Sequence, residues 1–440
     1  MSESTSPSPI HSTNSTTHLQ QRTLRVLIAS QVLGGIGVGS GIAVVGLLAY
    51  ELSGTESLSG VSATASTLGA AGASVFIALL AVRRGRRPGL VLGYLVGAAG
   101  AALAVVAAVL DAFWLHVLAS AAFGAASASN LQARYAATDL AEPDRRARTL
   151  STVVWATTVG AVLGPNLTGP GGQIAEAVSL PPLAGAYVFS LAAFLAAATV
   201  QAVGLRPDPL LTARATRGLP TPAALGPGRE RGATGPPPPR RRGGLATIRA
   251  IPAAMTALVA IATAHGVMVG IMVMTPVHLE HHGAALRLVG LTISLHIAGM
   301  YALSPVMGWL ADRYGRRRVL WCGLVQLAAA ALLAALADPT GPIAFQGGLV
   351  LLGTGWSACL VSASTLLTEV VPVEERPAAQ GASDLVMHLA GGVAGIIAGV
   401  VLAVGSFPGL ALSALAALGV PAWRLARHGQ GLLRVPVAEG

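Results

Sequence analysis

The chain has 440 residues, of which 53% are hydrophobic and only 10% are charged, whereas soluble globular proteins carry about 25% charged residues. This composition excludes an ordinary soluble protein. All 28 residues counted as lysine or arginine are arginines, so a phosphate-binding P-loop, which needs its lysine, is also excluded.

Twelve apolar stretches are long enough to cross a bilayer, since a spanning helix needs about 20 residues at about 1.5 Å per residue. We predict spans at approximately 24–49, 58–82, 89–110, 113–136, 149–170, 182–204, 250–276, 287–310, 319–337, 343–368, 379–403 and 405–424. The predicted fold class is therefore an all-α membrane protein, with twelve transmembrane helices in two pseudo-symmetric six-helix bundles.

The spans and the polar segments between them divide the chain into five regions. The two bundles are predicted at 24–204 and 250–424. A Ser/Thr-rich segment, 1–23, is predicted to be a disordered cytoplasmic tail, and 425–440 is predicted to be a second cytoplasmic tail. The Pro- and Arg-rich segment between the bundles, 205–249, is predicted to be a flexible cytoplasmic linker.

The net charge of +10 is explained by where the arginines lie. They concentrate in alternate loops, at 83–88, 137–148, 205–249 and 311–318, whereas the loops of the opposite side hold only Arg287. By the positive-inside rule, both termini are expected in the cytoplasm and the protein in the cytoplasmic membrane. The expected partners are membrane lipids and a transported solute, without nucleic acid, and we expect a monomer.

Sulfur and imidazole side chains cluster in the seventh and eighth predicted spans. Met268 and Met272 lie four residues apart on the seventh span, and His296 and Met300 lie four residues apart on the eighth. Residues at this spacing share one face of a helix, and consecutive antiparallel spans are expected to be neighbours. Because thioether and imidazole groups are ligands for Cu(I), these four residues form a candidate metal-binding and ion-binding series. Packing of apolar methionines around a hydrogen-bonded histidine is the alternative.

The loop after the eighth span reads GWLADRYGRRR, residues 308–318. It resembles the cytoplasmic loop signature of the major facilitator superfamily, and the residues that carry the resemblance are Gly308, Asp312, Arg313, Gly315 and Arg316. The resemblance implies the major facilitator fold, with these residues forming an inner gate. The expected function is therefore that of a secondary transporter and not of an enzyme, with no catalytic residues and no permanently bound cofactor.

A second, degenerate copy of this signature, ALLAVRRGRR at 78–87, occupies the equivalent place in the first half. When Gly85 is aligned with Gly315, Ala78 replaces the glycine and Val82 replaces the aspartate of the signature. Its repetition indicates an internal duplication. Because the first copy lacks the acidic residue, we expect the second copy to hold the inner gate alone.

The paired methionine and histidine motifs carry a narrower resemblance. Met268-x-x-x-Met272 in one span and His296-x-x-x-Met300 in the next resemble the CcoA-like copper importers of the same superfamily. This resemblance implies that Cu(I) is the substrate rather than a resident cofactor, and that it passes inward along the four side chains. A related branch of the family carries riboflavin, so the resemblance leaves the solute open.

Three ionisable residues are predicted within the membrane. Asp384 lies more than one turn inside the eleventh span with His388 on the same face, which marks both as candidates for proton coupling; an ion pair near the inner interface is the alternative for Asp384. Arg134 ends the fourth span, where its side chain is expected to extend to the inner headgroups. Its alternative partners are an anionic substrate or Asp384.

Two transport functions follow from these patterns. The sharper hypothesis is a transporter that works by alternating access and imports Cu(I). The alternative is a proton-coupled carrier of a small organic solute, either a riboflavin-like vitamin or an exported drug. A cavity lined by aromatic and polar side chains, with His296 facing protein, would favour the organic solute. A membrane sensor that does not transport is a third class, but the short tails contain no signalling domain.

Overall fold

The computed structural model describes residues 9–219, 243–283, 286–339, 341 and 343–428, and within these ranges the chain is helical without strands. The helices of the first half are α1 (Pro9–Ser53), α2 (Glu56–Arg84), α3 (Arg86–Val109), α4 (Phe113–Ala136), α5 (Arg146–Asn166), α6 (Thr168–Ala177) and α7 (Ala184–Gly204). Two short helices, α8 (Pro209–Ala215) and α9 (Gly244–Ala250), belong to the predicted linker. The second half contains α10 (Pro252–His281), α11 (Leu286–Tyr301), α12 (Ser304–Tyr314), α13 (Arg316–Leu336), α14 (Ala344–Val370), α15 (Arg376–Val404) and α16 (Phe407–His428).

Twelve spans can be assigned among the described residues. Ten are helices whose length and composition suit a bilayer, and α5 with α6, bent by 48°, forms an eleventh. The twelfth is α4, whose 24 residues extend for about 36 Å at about 1.5 Å per residue. Its last turns are polar, with Asn130, Gln132 and Arg134. The all-helical fold class predicted from the sequence is confirmed.

Span boundaries differ from the sequence prediction mainly at the ends of the bundles. Helix α1 begins at Pro9, so the described part of the predicted disordered tail continues the first span. Pro9 suits the first turn of a helix, and no glycine or proline interrupts the chain again before Gly34. Similarly, α16 runs to His428. The remainder of both tails, 1–8 and 429–440, and residues 220–242 of the linker lie outside the described residues.

Each half packs as its own bundle. In the first, α1 packs on α5 and α7, and α3 packs on α4 and α7; in the second, α14 packs on α13, α11 and α10, while α15 packs on α10. The two bundles meet along α2 with α15 and along α5 with α12. The side of the fold that carries the arginine-rich loops 83–88 and 311–318 is called the inner side below.

Close approach of helices depends on glycine where α1 crosses α5. A Cβ atom on Gly35 would lie 3.2 Å from the Cα atom of Gly160, and one on Gly39 would lie 3.0 Å from the carbonyl oxygen of Gly160. Small residues four apart allow this kind of backbone contact in lipid. The first bundle is therefore tightly packed at the crossing of its first and fifth spans.

Candidate functional site

The second copy of the loop signature joins the two bundles at the inner side. The carboxylate of Asp312, on α12, accepts hydrogen bonds from the backbone N–H groups of Ala147 at 3.1 Å and Arg148 at 2.8 Å. These groups belong to the first turn of α5, whose N–H groups have no partner within the helix. An aspartate at this position satisfies them and interacts favourably with the helix dipole. Asp312 of the second bundle thus caps a helix of the first.

Arg316 extends the same contact. Its guanidinium lies 3.0 Å from the carboxylate of Asp312 and 2.8 Å from that of Glu369, and it donates a 2.9 Å hydrogen bond to the carbonyl oxygen of Pro143 in the first bundle. Gly315 adopts a φ of +94° between α12 and α13, which suits glycine. The structure therefore brings Asp312 and Arg316 together, whereas the side chain of Arg313 is exposed.

Gly308 is the remaining predicted gate residue, and it lies at the crossing of α12 and α5. A Cβ atom at this position would lie 2.6 Å from the carbonyl oxygen of Ala147 and would also overlap the hydroxyl group of Ser151. One turn further into the membrane, the hydroxyl group of Ser304 donates a 3.0 Å hydrogen bond to the carbonyl oxygen of Ser151. The contact between bundles therefore continues from the loop into the spans.

The first copy also contacts the opposite bundle, so the expectation that the second copy acts alone is wrong. Arg86 forms a buried ion pair with Asp139, with Nε 2.8 Å from Oδ2, and it donates a 2.6 Å hydrogen bond to the side chain of Gln380 on α15. The chain separation in the ion pair, 53 residues, equals that between Arg316 and Glu369. Both halves therefore contain an arginine–carboxylate pair at the inner side, although the first copy lacks the signature aspartate.

A further ion pair lies deeper in the fold and, unlike those of Arg86 and Arg316, connects the two bundles. Arg134 on α4 lies 2.6 Å from the carboxylate of Asp384 on α15, and their side chains are 1% and 0% exposed. The same guanidinium donates to the hydroxyl groups of Tyr135 at 3.0 Å and Ser364 at 3.3 Å. The preferred prediction, an Arg134 side chain at the headgroups, is wrong because the arginine is enclosed by protein. The alternative, contact with Asp384, is confirmed.

Aromatic and imidazole side chains lie at middle depth on the second bundle. The indole N–H of Trp356 donates a 3.1 Å hydrogen bond to Nδ1 of His265, and its ring lies 5.7 Å from that of Tyr301. The ring of His388 lies 6.3 Å from that of His265. His265 is thirteen residues from the inner end of α10, which places it about 20 Å along this helix, near its middle. We call these four residues the aromatic–imidazole cluster.

The predicted copper series is only partly assembled. Met268 and Met300 are buried and Met272 is half-buried, all within or against the core of the second bundle. Nδ1 of His296 is hydrogen-bonded, at 2.9 Å, to the carbonyl oxygen of Leu349 on α14. Helix α11 packs mainly on α14 and touches α10 only slightly, so the assumption that spans seven and eight are close neighbours is wrong. His296 thus faces protein, and its Nε2 has no hydrogen-bond partner among the described residues.

Span eight contains a short turn directly below this region. Helix α11 ends at Tyr301 and α12 begins at Ser304, with Pro305 in its first turn. Proline lacks the N–H group that would continue the helix. The two helices together still form one span, Leu288–Tyr314, and the turn between them lies at Tyr301 of the aromatic–imidazole cluster.

Two bundles of six spans that touch through paired loop signatures at one side define a membrane transporter of the alternating-access type. The sequence profile of the Major Facilitator Superfamily matches residues 26–290 and 256–433. The chain belongs to this superfamily, whose members are transporters rather than enzymes.

Relatives at the sequence level agree with this assignment. The chain is 37% identical over 398 residues to YddS, an uncharacterized MFS-type transporter of Bacillus subtilis, covering 90% of this chain and 88% of the relative. It is 28% identical over 368 residues to the riboflavin transporter RfnT of Brucella anthropi, covering 83% and 85% of the two chains. The resemblance to copper importers receives no support from these relatives.

Solved structures share the fold at low sequence identity. A bacterial homologue of the iron transporter ferroportin in an outward-facing state matches with a TM-score of 0.71 and 14% identity, covering 93% of this chain and 99% of that chain. The human organic anion transporter MFSD10 matches with a TM-score of 0.69 and 16% identity, covering 92% and 99%. At these identities the similarity shows the fold alone.

Proposed function

We propose that the protein is a proton-coupled carrier of a small organic solute that works by alternating access. The observation that carries the proposal is the arrangement of two layers of polar contacts, namely the Arg134–Asp384 ion pair between the bundles and the aromatic–imidazole cluster above it. Transporters bind their substrates near the midplane, between the bundles. A solute held at the cluster would rest directly above the contact that keeps the inner side closed.

The chemistry of the cluster suits a planar, polar ring system. Trp356 and Tyr301 meet edge to face with ring planes at 81°, and such aromatic surfaces stack with other rings. His265 and His388 add hydrogen-bonding groups beside them. A flavin is the first solute to test, because one relative is named a riboflavin transporter.

Asp384 is proposed as the residue that couples transport to protons. Its ion pair with Arg134 exists only while α4 and α15 are close, so it stabilises the state that is closed at the inner side. Two charges taken out of water are stable mainly through their mutual attraction. Protonation of Asp384 would remove this attraction and release α15 from α4. His388, one turn away on the same helix, would pass the proton between Asp384 and the rest of the aromatic–imidazole cluster.

The orientation follows from the arginine distribution. We place the inner side, with both termini, in the cytoplasm of a bacterial-type cytoplasmic membrane, according to the positive-inside rule. The contacts through Asp312, Arg86 and Arg134 then close the cytoplasmic side. The carrier is proposed to act as a monomer embedded in lipid.

Uptake of radiolabelled riboflavin into proteoliposomes, with and without a proton gradient, tests this proposal. We expect gradient-driven accumulation by the wild type and at least about a fivefold loss in Trp356→Ala, because an aromatic contact and its hydrogen bond contribute about 1–3 kcal/mol. Trp114→Ala is the matched control, because Trp114 is 72% exposed and distant from the cluster. Equal loss in the two variants would contradict a substrate site at Trp356.

Asp384→Asn separates coupling from binding. The variant is expected to keep exchange of solute across the membrane but to lose accumulation driven by the gradient, because an amide does not take up the proton. Asp111→Asn, in an exposed turn with a φ of +52° that asparagine tolerates, is the matched control. If Asp384→Asn accumulates solute as the wild type does, Asp384 is not the coupling residue.

Cu(I) is a second candidate, favoured by one observation. Nδ1 of His296 is bonded to a carbonyl oxygen, an arrangement that directs the lone pair of Nε2 towards a metal, and Nε2 lacks a hydrogen-bond partner among the described residues. Uptake of radioactive Cu(I) by the double variant Met268→Ala/His296→Ala tests this candidate, with Met255→Ala as the control. Copper uptake that equals the wild type in the double variant would exclude it.

A further inference from the structure

The two copies of the loop signature are related by a shift of 230 residues, which takes Gly85 to Gly315 and Val82 to Asp312. The same shift takes Ala147, the first N–H donor to Asp312, to Pro377 at the start of α15. Proline has no N–H group. An aspartate at position 82 would therefore find only one of the two donors that Asp312 has, which explains why the first copy can lack it.

Another carboxylate reaches the first copy from the linker. Oδ2 of Asp208 accepts a 2.8 Å hydrogen bond from the backbone N–H of Arg87, in the first turn of α3. Oδ1 of Asp208 accepts from the N–H groups of Leu210 at 3.0 Å and Leu211 at 3.2 Å, in the first turn of α8. One carboxylate thus caps two helices at once. The segment that was predicted to be a flexible linker therefore contributes a helix-capping carboxylate to the first copy.

The fit at this point is specific to the first copy. Gly85 has a φ of +88°, and a Cβ atom there would lie 2.6 Å from the carboxylate oxygens of Asp208. At the equivalent Gly315, none of the described residues comes within 4 Å of a Cβ atom. The turn between α2 and α3 is therefore occupied by a linker carboxylate, whereas its counterpart between α12 and α13 is open.

Helix α8 also docks on the end of α2. Leu210 is fully buried, and Nη1 of the buried Arg214 donates a 3.3 Å hydrogen bond to the carbonyl oxygen of Val82. Val82 is the residue that replaces the signature aspartate. The linker therefore covers the position at which the first copy departs from the second.

We infer that Asp208 is a positioning residue of the inner gate, supplied by the linker in place of the missing signature aspartate. It fixes the first turn of α3, so that the neighbouring Arg86 is held between Asp139 in its own bundle and Gln380 in the other. The bond to Gln380 crosses between the bundles, and Gln380 is itself held by a 3.0 Å hydrogen bond to Thr368. This role does not depend on which solute is carried.

The test measures the populations of the closed and open inner side directly. Spin labels at the exposed positions Arg25 and Arg318, one in each bundle, report the distance between α1 and α13 by double electron–electron resonance. The background lacks the native cysteines, Cys322 and Cys359. In Asp208→Ala, which removes three charge-assisted hydrogen bonds, we expect the ratio of open to closed to rise about tenfold. No change in this ratio overturns the proposal.

A double-mutant cycle distinguishes positioning from general loss of stability. If Asp208 acts through Arg86, the effects of Asp208→Ala and Gln380→Ala on the ratio are less than additive, because both remove the same contact. The control cycle combines Asp208→Ala with Asp312→Ala, which lies at the other interface and is expected to be additive. Additive effects of Asp208→Ala and Gln380→Ala overturn the proposal, even if Asp208→Ala alone lowers the melting temperature.

Discussion

The crossing of α2 with α15 offers a sharp test of how the inner side closes. Gly381 on α15 lies directly against Ala78 on α2, and a Cβ atom added to Gly381 would overlap that of Ala78 and lie 2.9 Å from the carbonyl oxygen of Ser74. Real Cβ atoms do not approach backbone oxygens this closely, so Gly381→Ala must push the two helices apart. Because the two helices belong to different bundles, the substitution raises the free energy of the state that is closed at the inner side and not that of the open state.

The expected magnitude follows from the cost of overpacking. Inserting a methyl group into a packed contact costs about 1–3 kcal/mol, which corresponds to about a 5- to 150-fold change in the ratio of two states. The open inner state should rise by this factor relative to the closed state. The spin-label distance between positions 25 and 318 measures the ratio, and solute accumulation should fall with it.

Two control variants test whether the clash between α2 and α15 is the cause. Gly399→Ala lies on the same helix with no neighbouring atom within 4 Å among the described residues, so it reproduces the gain in helix propensity without the clash. Ala78→Gly added to Gly381→Ala removes the overlap of the two methyl groups and should restore the ratio in part, because the close contact with the carbonyl oxygen of Ser74 remains. If Gly381→Ala behaves like Gly399→Ala, the closed contact between α2 and α15 is not as described.

Three further outcomes are expected from the same contacts. Gly308→Ala should open the inner side by a similar factor, because its methyl group would overlap Ser151; the spin-label distance checks this. Asp312→Ala should open it about tenfold through loss of the α5 cap, and an unchanged distance distribution would contradict the capping role. Arg134→Lys should lower solute accumulation at least tenfold, since a single ammonium group cannot reproduce the planar fork of bonds that includes Asp384; wild-type accumulation would contradict it.

Much of the fold could be predicted from the sequence because the membrane imposes a simple rule. A helix that crosses lipid must be apolar over about 20 residues, so all twelve spans were recognisable from composition. The polar inner end of α4 shows the limit of this rule. Its inner end is polar because Asn130 and Arg134 contact protein rather than lipid, and only the structure reveals those partners.

The candidate site was harder to predict because its residues come from distant parts of the chain. Arg134 and Asp384 are 250 residues apart, and the position of Arg134 near a span end is equally typical of an arginine that reaches the headgroups. Trp356 and Tyr301 could not be recognised as site residues from the sequence, because aromatic residues in a membrane helix usually only fill space. The assumption that consecutive spans are neighbours failed for α10 and α11, since α14 packs on both of them.

At each of the two interfaces between the bundles, the helices cross closely at one glycine, but the glycine lies on a different helix in the two cases. Where α12 crosses α5, Gly308 meets Ser151; where α2 crosses α15, Ala78 meets Gly381. The shift of 230 residues relates 78 to 308 and 151 to 381, so the glycine lies on the signature helix at one crossing and on its partner at the other. Each crossing needs one glycine, and either helix can supply it. A degenerate signature therefore does not imply a weaker gate, because the residue that compensates for Ala78, Gly381, lies 303 positions further along the chain, in the opposite bundle, beyond the reach of any local motif.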